Sequence, residues 1–267
     1  MEKIKFKIAG FVFVISFQET EIPSRRKKFV KIIKNYLNDF IFNDSIKKPD
    51  YYINIIDILS YHVFKLKNKK NYFINFWKEK DIYAETYYHI SLAHFQYILR
   101  RAILTLFSKK HGFMLHSSAV LINGKAHIFT GSSGAGKSTV VRLLKKENKP
   151  LADDNVFVKK ENGIYYLYQT PFIEKENRVK RGKNKFEIGG VYFLKKSDDF
   201  KLEKIMDKES VFNKLAKEFW TKDKMESEKQ LPFLFKFSYN FDRFFYLYFK
   251  KQKKGLLNTL EKNNSQQ

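Results

Sequence analysis

The sequence predicts an α/β chain of the α+β kind: a mixed sheet with antiparallel hairpins around a phosphate loop, plus a strand-rich amino-terminal region. Three observations carry this. Asn123-Gly124 and Asn162-Gly163 each separate two apolar runs, and Asn-Gly is a strong hairpin signal because both turn positions need positive φ. Gly131-Ser132-Ser133-Gly134-Ala135-Gly136-Lys137-Ser138 stands between the apolar Ala126-His127-Ile128-Phe129 and a stretch with Val140, Val141, Leu143 and Leu144 on one helical face. Upstream, short alternating runs of strand period dominate.

Taken in order, Ile4-Lys5-Phe6-Lys7-Ile8, Ala9-Gly10 and Phe11-Val12-Phe13-Val14-Ile15 read as an opening hairpin. Residues 25–40 have helically spaced apolar positions. Tyr52-Ile53-Asn54-Ile55-Ile56, residues 61–66 and residues 72–77 read as strands, with Asn68-Lys69-Lys70-Asn71 separating the last two. A helix follows, with Ser91 as its N-cap. Leu92, Phe95, Leu99, Ala102, Ile103 and Leu106 form its apolar face. Gly112 suits its C-terminal cap, and Arg100 and Arg101 are expected toward solvent or a partner. Ala119-Val120-Leu121-Ile122 and residues 125–130 flank the first Asn-Gly pair; Val156-Phe157-Val158 and Ile164-Tyr165-Tyr166-Leu167 flank the second. The divisions expected are a strand-rich region 1–110, a nucleotide-binding core 111–250 and a polar, fraying tail 251–267.

Composition bounds the function. Hydrophobic residues are 43% of the 267 and aromatics 17%, enough for a packed core. Cysteine is absent, which excludes disulfides and thiolate metal sites. The formal charge is +24, from 52 Lys+Arg against 28 Asp+Glu. The lysines are spread along the whole length among Ile, Phe, Tyr and Asn, so the excess reads as compositional bias; a nucleic-acid partner is not expected. The apolar run 8–17 is shorter than the roughly 20 residues of a membrane span and has no cleavage site after it. No membrane is expected, and a cytoplasmic protein is.

The chemistry lies in the motif G-x-x-x-x-G-K-[ST] at 131–138. Its glycines let backbone amides approach phosphate oxygens. Lys137 sets a positive charge on the β- and γ-phosphates, and Ser138 offers a hydroxyl to Mg²⁺. Gly131, Ser132, Ser133, Gly134, Ala135, Gly136, Lys137, Ser138 and Thr139 are the expected nucleotide-binding residues, at a helix N-terminus whose dipole favours an anion. Leu151-Ala152-Asp153-Asp154-Asn155 follows that helix. An apolar stretch ending in aspartate is where a magnesium-organising carboxylate sits in phosphate-loop enzymes. One carboxylate of the pair suits the metal and the other the proton of an attacking hydroxyl; the competing reading is a solvated Asp-Asp-Asn turn. His116, entering the hairpin, suits the orientation of a carboxylate or phosphate, or equally a core histidine. His62, His89, His94, His111 and His127 lack ligand spacing and read as structural. The basic run Arg178, Lys180, Arg181, Lys183 and Lys185 reads as a solvated face ahead of a phosphate-closing loop.

Leu115-His116-Ser117-Ser118-Ala119-Val120, the loop 131–138 and Ala152-Asp153-Asp154-Asn155 resemble, in order and spacing, the catalytic domain of bacterial HPr kinase/phosphorylase. The resemblance covers residues 111–195. The wider group includes ATP-dependent phosphoenolpyruvate carboxykinase. It implies an HPr kinase-like core, ATP with Mg²⁺, and phosphoryl transfer to a serine hydroxyl. By this analogy Asp153 is the base, His116 assists it, and Asp154 lies on the metal side with Ser138, the two aspartate roles being exchangeable. Glu187-Ile188-Gly189-Gly190 only echoes the family's downstream segment, and the amino-terminal half does not resemble its regulatory domain. The acceptor is therefore open: a protein, a peptide or a small molecule. The competing functions are a non-catalytic nucleotide-binding module or NTPase switch and, behind it, a nucleic-acid-associated ATPase.

Overall fold

The computed structural model describes residues 2–20, 22–42, 47–57, 63–65, 72–74, 76–110, 112–172, 179–219 and 224–264. The chain divides into two compact units, Met1–Leu106 and Phe107–Gln267.

The first unit opens with β1 (Glu2–Ile8) and β2 (Phe11–Phe17), paired antiparallel. The turn is Ala9-Gly10, at φ 50° and 81°. α1 (Pro23–Leu37) starts on a proline, whose missing N–H is harmless there, and a 3₁₀ turn Asn38–Phe40 ends it. β3 (Tyr51–Ile56), β4 (Val63–Lys65), β5 (Tyr72–Ile74), β6 (Trp77–Lys80) and β7 (Tyr83–Tyr87) follow. The sheet order is β1-β2-β3-β7-β6, with β3 parallel to both neighbours. β4 and β5 pair with each other; Tyr61, His62, Leu66 and the expected separator 68–71 lie outside the described residues.

α2 (Leu92–Lys109) starts as expected, with Ser91 Oγ accepting from His94 N–H at 3.2 Å. Phe95, Leu99, Ala102, Ile103 and Leu106 are buried. Two expectations are corrected here. Arg101, expected toward solvent or a partner, is only partly exposed and is held within its own unit: its guanidinium sits 3.5 Å from Glu79 and over the Trp77 ring. Gly112 is no helix cap. It is the first residue of β8 (Gly112–Leu115), and a Cβ on it would meet the Phe107 ring at 2.1 Å, so the glycine serves a close ring approach.

In the second unit β9 (Ser118–Ile122) and β10 (Lys125–Thr130) form the first predicted hairpin; α3 (Lys137–Leu144) and β11 (Lys149–Ala152) follow. β12 (Val156–Glu161) and β13 (Ile164–Tyr168) form the second hairpin. Asn123 and Asn162 both sit at φ 48°, with Gly124 at 77° and Gly163 at 85°. Asn tolerates that left-handed region better than other side chains. Asn162→Ala is expected to cost about 1 kcal/mol in urea unfolding, since nothing crowds the turn.

The long β14 (Lys185–Lys196) pairs with β13 antiparallel through residues 185–187 and with β10 parallel further on. After β15 (Lys201–Lys204), α4 (Lys208–Glu218) and α5 (Lys224–Asn240), β16 (Phe244–Phe249) joins β14, also parallel. Both hairpins thus belong to one mixed sheet, β11-β9-β10-β14-β13-β12-β8, with β16 attached at β14 and β15 at β16.

Period-two alternation splits the core between two faces. Ile128, Val191 and Phe193 face Val211, Leu215, Leu234 and Phe237 of α4 and α5. Phe129, Tyr192 and Leu194 face Val140, Val141 and Leu144 of α3. The supposed fraying tail belongs to this second face. It forms α6 (Lys253–Asn264), and its Leu256 and Leu260 are fully buried. The sequence conceals this because Lys, Asn and Glu surround two leucines one helical turn apart. Among the described residues no helix is long and apolar enough to cross a membrane.

Candidate functional site

Strand register assembles the site. Ala152 at the end of β11 pairs with Ala119, and Ser118 pairs with Phe129 near the end of β10. Neighbouring strands lie about 4.8 Å apart. The ends of β11 and β10 and the start of β9 therefore form one rim, which brings Asp153, Ser117 and Gly131 to the same edge of the sheet.

From Thr130 the chain enters the glycine-rich loop. Gly131, Gly134 and Gly136 sit at φ 142°, 82° and 107°, backbone that L side chains rarely adopt. At Gly136 the demand is also steric, because a Cβ would meet the Phe249 ring at 2.7 Å. Gly136 caps α3, and Val140 N–H donates to its carbonyl at 2.9 Å. The amides of Lys137, Ser138 and Thr139 lie in the first turn and have no partner within the helix.

Lys137 is only 8% exposed. Its Nζ turns back over the loop, donating to Gly131 O and to Ser132 O, the latter at 3.4 Å. It also lies 3.8 Å from Glu218 Oε2. Burial holds the Glu218 carboxyl above its ordinary range, and the Lys137 charge works against that rise.

His116 and residues 133–139 line a cavity of about 300 Å³. His116 Nδ1 lies 3.4 Å from Asp154 Oδ1. Asn155 Nδ2 donates to Asp154 Oδ2 at 2.9 Å, and Ser117 N–H to Asp154 O at 3.1 Å. Asp154 is thus held in place by His116, Ser117 and Asn155. Asp153, 2% exposed, is buried next to it. The Asp-Asp-Asn stretch is therefore not a solvated turn: Asp153 and Asn155 are buried and Asp154 half-buried.

Glu218 is the residue sequence reasoning missed. Its carbonyl accepts from His116 N–H at 2.8 Å, and Phe219 forms a bridge with Leu115. The end of α4 is thereby anchored between His116 and Lys137. No local motif marks Glu218; the contact exists only because residues 115–116 and 218–219 pair across the fold.

Other candidates resolve into structure. His127, pushed down to about 4 by burial and by the Arg243 and Lys125 charges, stays neutral and bonds the Tyr192 hydroxyl at 2.9 Å. His94 bonds Ser91, and His89 stacks on Tyr87. His62 and His111 lie outside the described residues. The expected solvated basic run is partly tied down: Arg181 donates to Pro171 O at 2.6 Å, and Lys185 pairs with Glu161 at 2.6 Å. Arg178 lies outside the described residues. Glu187 of the Glu-Ile-Gly-Gly stretch pairs with Lys125 and Arg243, and a Cβ on Gly189 would meet His127 at 2.8 Å.

Among the described residues no three His, Asp or Glu side chains cluster to hold a metal by themselves. A magnesium ion bound through one or two carboxylates plus substrate phosphates needs no such cluster. Hydroxyl and carboxylate oxygens are the ligand types such a hard cation takes; Ser138 lines the cavity, and Asp154 pairs with the His116 that also lines it. The buried hydroxyls of Ser117 and Thr130, orphaned among the described residues at the same rim, fit a site meant for polar occupants.

Comparison with known proteins gives a family match over residues 83–232, to the family described as SynChlorMet cassette protein ScmC. No curated protein matches the chain. Among solved structures, the Hpr(Ser) kinase/phosphatase from Coxiella burnetii is similar at 19% identity, over 35% of this chain and 72% of that one, with a TM-score of 0.25.

Proposed function

This chain belongs to the family of SynChlorMet cassette protein ScmC, and from there we propose that it is an ATP- and Mg²⁺-dependent kinase that moves the γ-phosphoryl group to a hydroxyl. The acceptor is a serine of a protein or peptide, or a small molecule. One observation supports the reading: His116, which is paired to Asp154, lines the same cavity as the glycine-rich loop. The motif resemblance to HPr kinase/phosphorylase agrees with it.

The residues divide the work. Loop amides and Lys137 hold the phosphates of the nucleotide. Ser138 and Asp154 would hold the metal, which supplies positive charge at the phosphate oxygens. Asp153 takes the proton of the acceptor hydroxyl as its oxygen bonds to the γ-phosphorus. The bond to the β-phosphate oxygen breaks, and ADP leaves with that electron pair. His116 orients the carboxylates. Catalysis of this kind is mostly positioning and charge neutralisation.

A second reading rests on the Lys137–Glu218 pair. A lysine already paired with a half-buried carboxylate must exchange that partner for phosphate, a change that a nucleotide switch can use. Incubation with Mg-ATP and a panel of serine peptides and small hydroxyl compounds separates the two. The kinase yields ADP with an equal amount of acid-stable phosphorylated acceptor. The switch yields bound nucleotide or free phosphate only, and that result would retire the kinase reading.

A further inference from the structure

The strand that delivers the glycine-rich loop has two parallel companions. β10 ends at Thr130, β14 at Lys196 and β16 at Phe249, all at the same end of the sheet. In open α/β sheets, ligands bind outside the carboxyl ends of such strands. A second cavity of about 450 Å³ opens there, within the roughly 300–1,000 Å³ of small-molecule sites.

Its walls are Lys196 and Ser197 from the end of β14 and Phe249, Lys250 and Lys251 from the end of β16. Gly134, Gly136 and Thr139 line this cavity and also the one lined by His116. The two therefore share the loop as a common rim. Ser197 N–H donates to Phe249 O at 3.1 Å, which ties the two strand ends together beneath the cavity. Lys196, Lys250 and Lys251 form no salt bridge among the described residues. Three cations without counter-charges attract an anion.

We infer that this second cavity takes the nucleoside end of the nucleotide, with the lysines set toward its α-phosphate and ribose. The inference rests on the nucleotide reading above and extends it to a second set of residues. A triphosphate laid on the loop has a reacting end and a nucleoside end. His116 and its partner Asp154 stand on the side of the first cavity, where a transferable phosphoryl group is needed. The opposite end then passes over Gly134, Gly136 and Thr139 into the space between the β14 and β16 termini.

The test uses a plug. Ser197→Trp places a bulky ring in the second cavity from the β14 side and leaves the loop sequence unchanged. Calorimetry compares Mg-ATP with magnesium tripolyphosphate, which has the phosphates but no nucleoside. The variant is expected to lose about tenfold or more in Mg-ATP affinity while binding tripolyphosphate within about twofold of the parent. Equal losses for both ligands, or no loss for either, would overturn the assignment. Photolabelling of the unaltered protein with an azido-adenine analogue of ATP gives an answer independent of the variant's folding. Adducts within 196–200 or 249–251 support the assignment, and adducts confined to 112–118 reject it. If the unaltered protein binds tripolyphosphate but not ATP, the loop reading stands and the nucleoside pocket falls. If it binds neither, both fall together.

Discussion

Lys137→Ala is expected to weaken Mg-ATP binding by at least about 2 kcal/mol, or about 30-fold. The lysine is buried, and its ammonium is held over the loop by two backbone carbonyls. A charge-assisted contact to phosphate made from such a position is preorganised and is lost whole on truncation. Calorimetry reads the affinity, and unchanged binding would remove the loop as the nucleotide site. The same change has a second signature. Burial already holds the Glu218 carboxyl above its ordinary range, with Lys137 opposing the rise, so removing the lysine lifts it further. A carboxyl raised in the folded state favours folding while protonated and loses that contribution as pH climbs through its folded value. The variant should therefore melt at progressively lower temperature, relative to the parent, as pH rises from acid toward neutral. A pH-independent difference would show that Lys137 and Glu218 are not coupled.

Asp153→Asn should leave Mg-ATP affinity nearly intact and slow phosphoryl transfer by about 10²-fold or more, the usual scale for losing a general base. The substitution preserves size and hydrogen bonding and abolishes basicity. Asp153 is 2% exposed at the end of β11, next to the Asp154 that His116 orients. Single-turnover transfer to an identified acceptor is the measurement. Transfer at the parent rate would move the base elsewhere and return weight to the switch reading. Asp154→Asn differs in kind: it should weaken the magnesium dependence of binding, because the side chain between His116 and Asn155 is the one assigned to the metal.

The legible parts of the sequence were those whose signals are local. Asn123-Gly124 and Asn162-Gly163 declared their turns because few residue pairs accept two successive positive φ angles, and both pairs close hairpins of one sheet. Ser91 declared the start of α2 through its side-chain chemistry. The glycine-rich loop was readable for the same reason. What sequence reasoning misjudged depended on distant partners. Gly112 looked like a cap because it follows a helix, yet the Phe107 ring decides its identity. Arg101 was expected toward solvent or a partner because Glu79 and Trp77, which hold it, lie on β6, ahead of the helix. Glu218 carried no signal at all, since its proximity to Lys137 follows from an isolated bridge between Leu115 and Phe219. α6 was hidden by its polar majority, although its two buried leucines, Leu256 and Leu260, keep helical spacing.

The parallel arrangement of β10, β14 and β16 sets the order in which this site can come into being. β10 folds back on β9 through a two-residue turn, a local event that can occur as soon as both strands have been synthesised. Its parallel neighbour β14 arrives only after the second hairpin, and β16 only after α4 and α5. Pairings so distant along the chain fold slowly, because loop closure precedes the contacts that reward it. A nascent chain would therefore expose the unpaired flank of β10, with the glycine-rich loop at its tip, until β14 pairs with it; β16 then pairs with β14. That interval is when the second unit is most open to aggregation. A ligand that stabilises the finished loop draws the slow closing step forward by mass action.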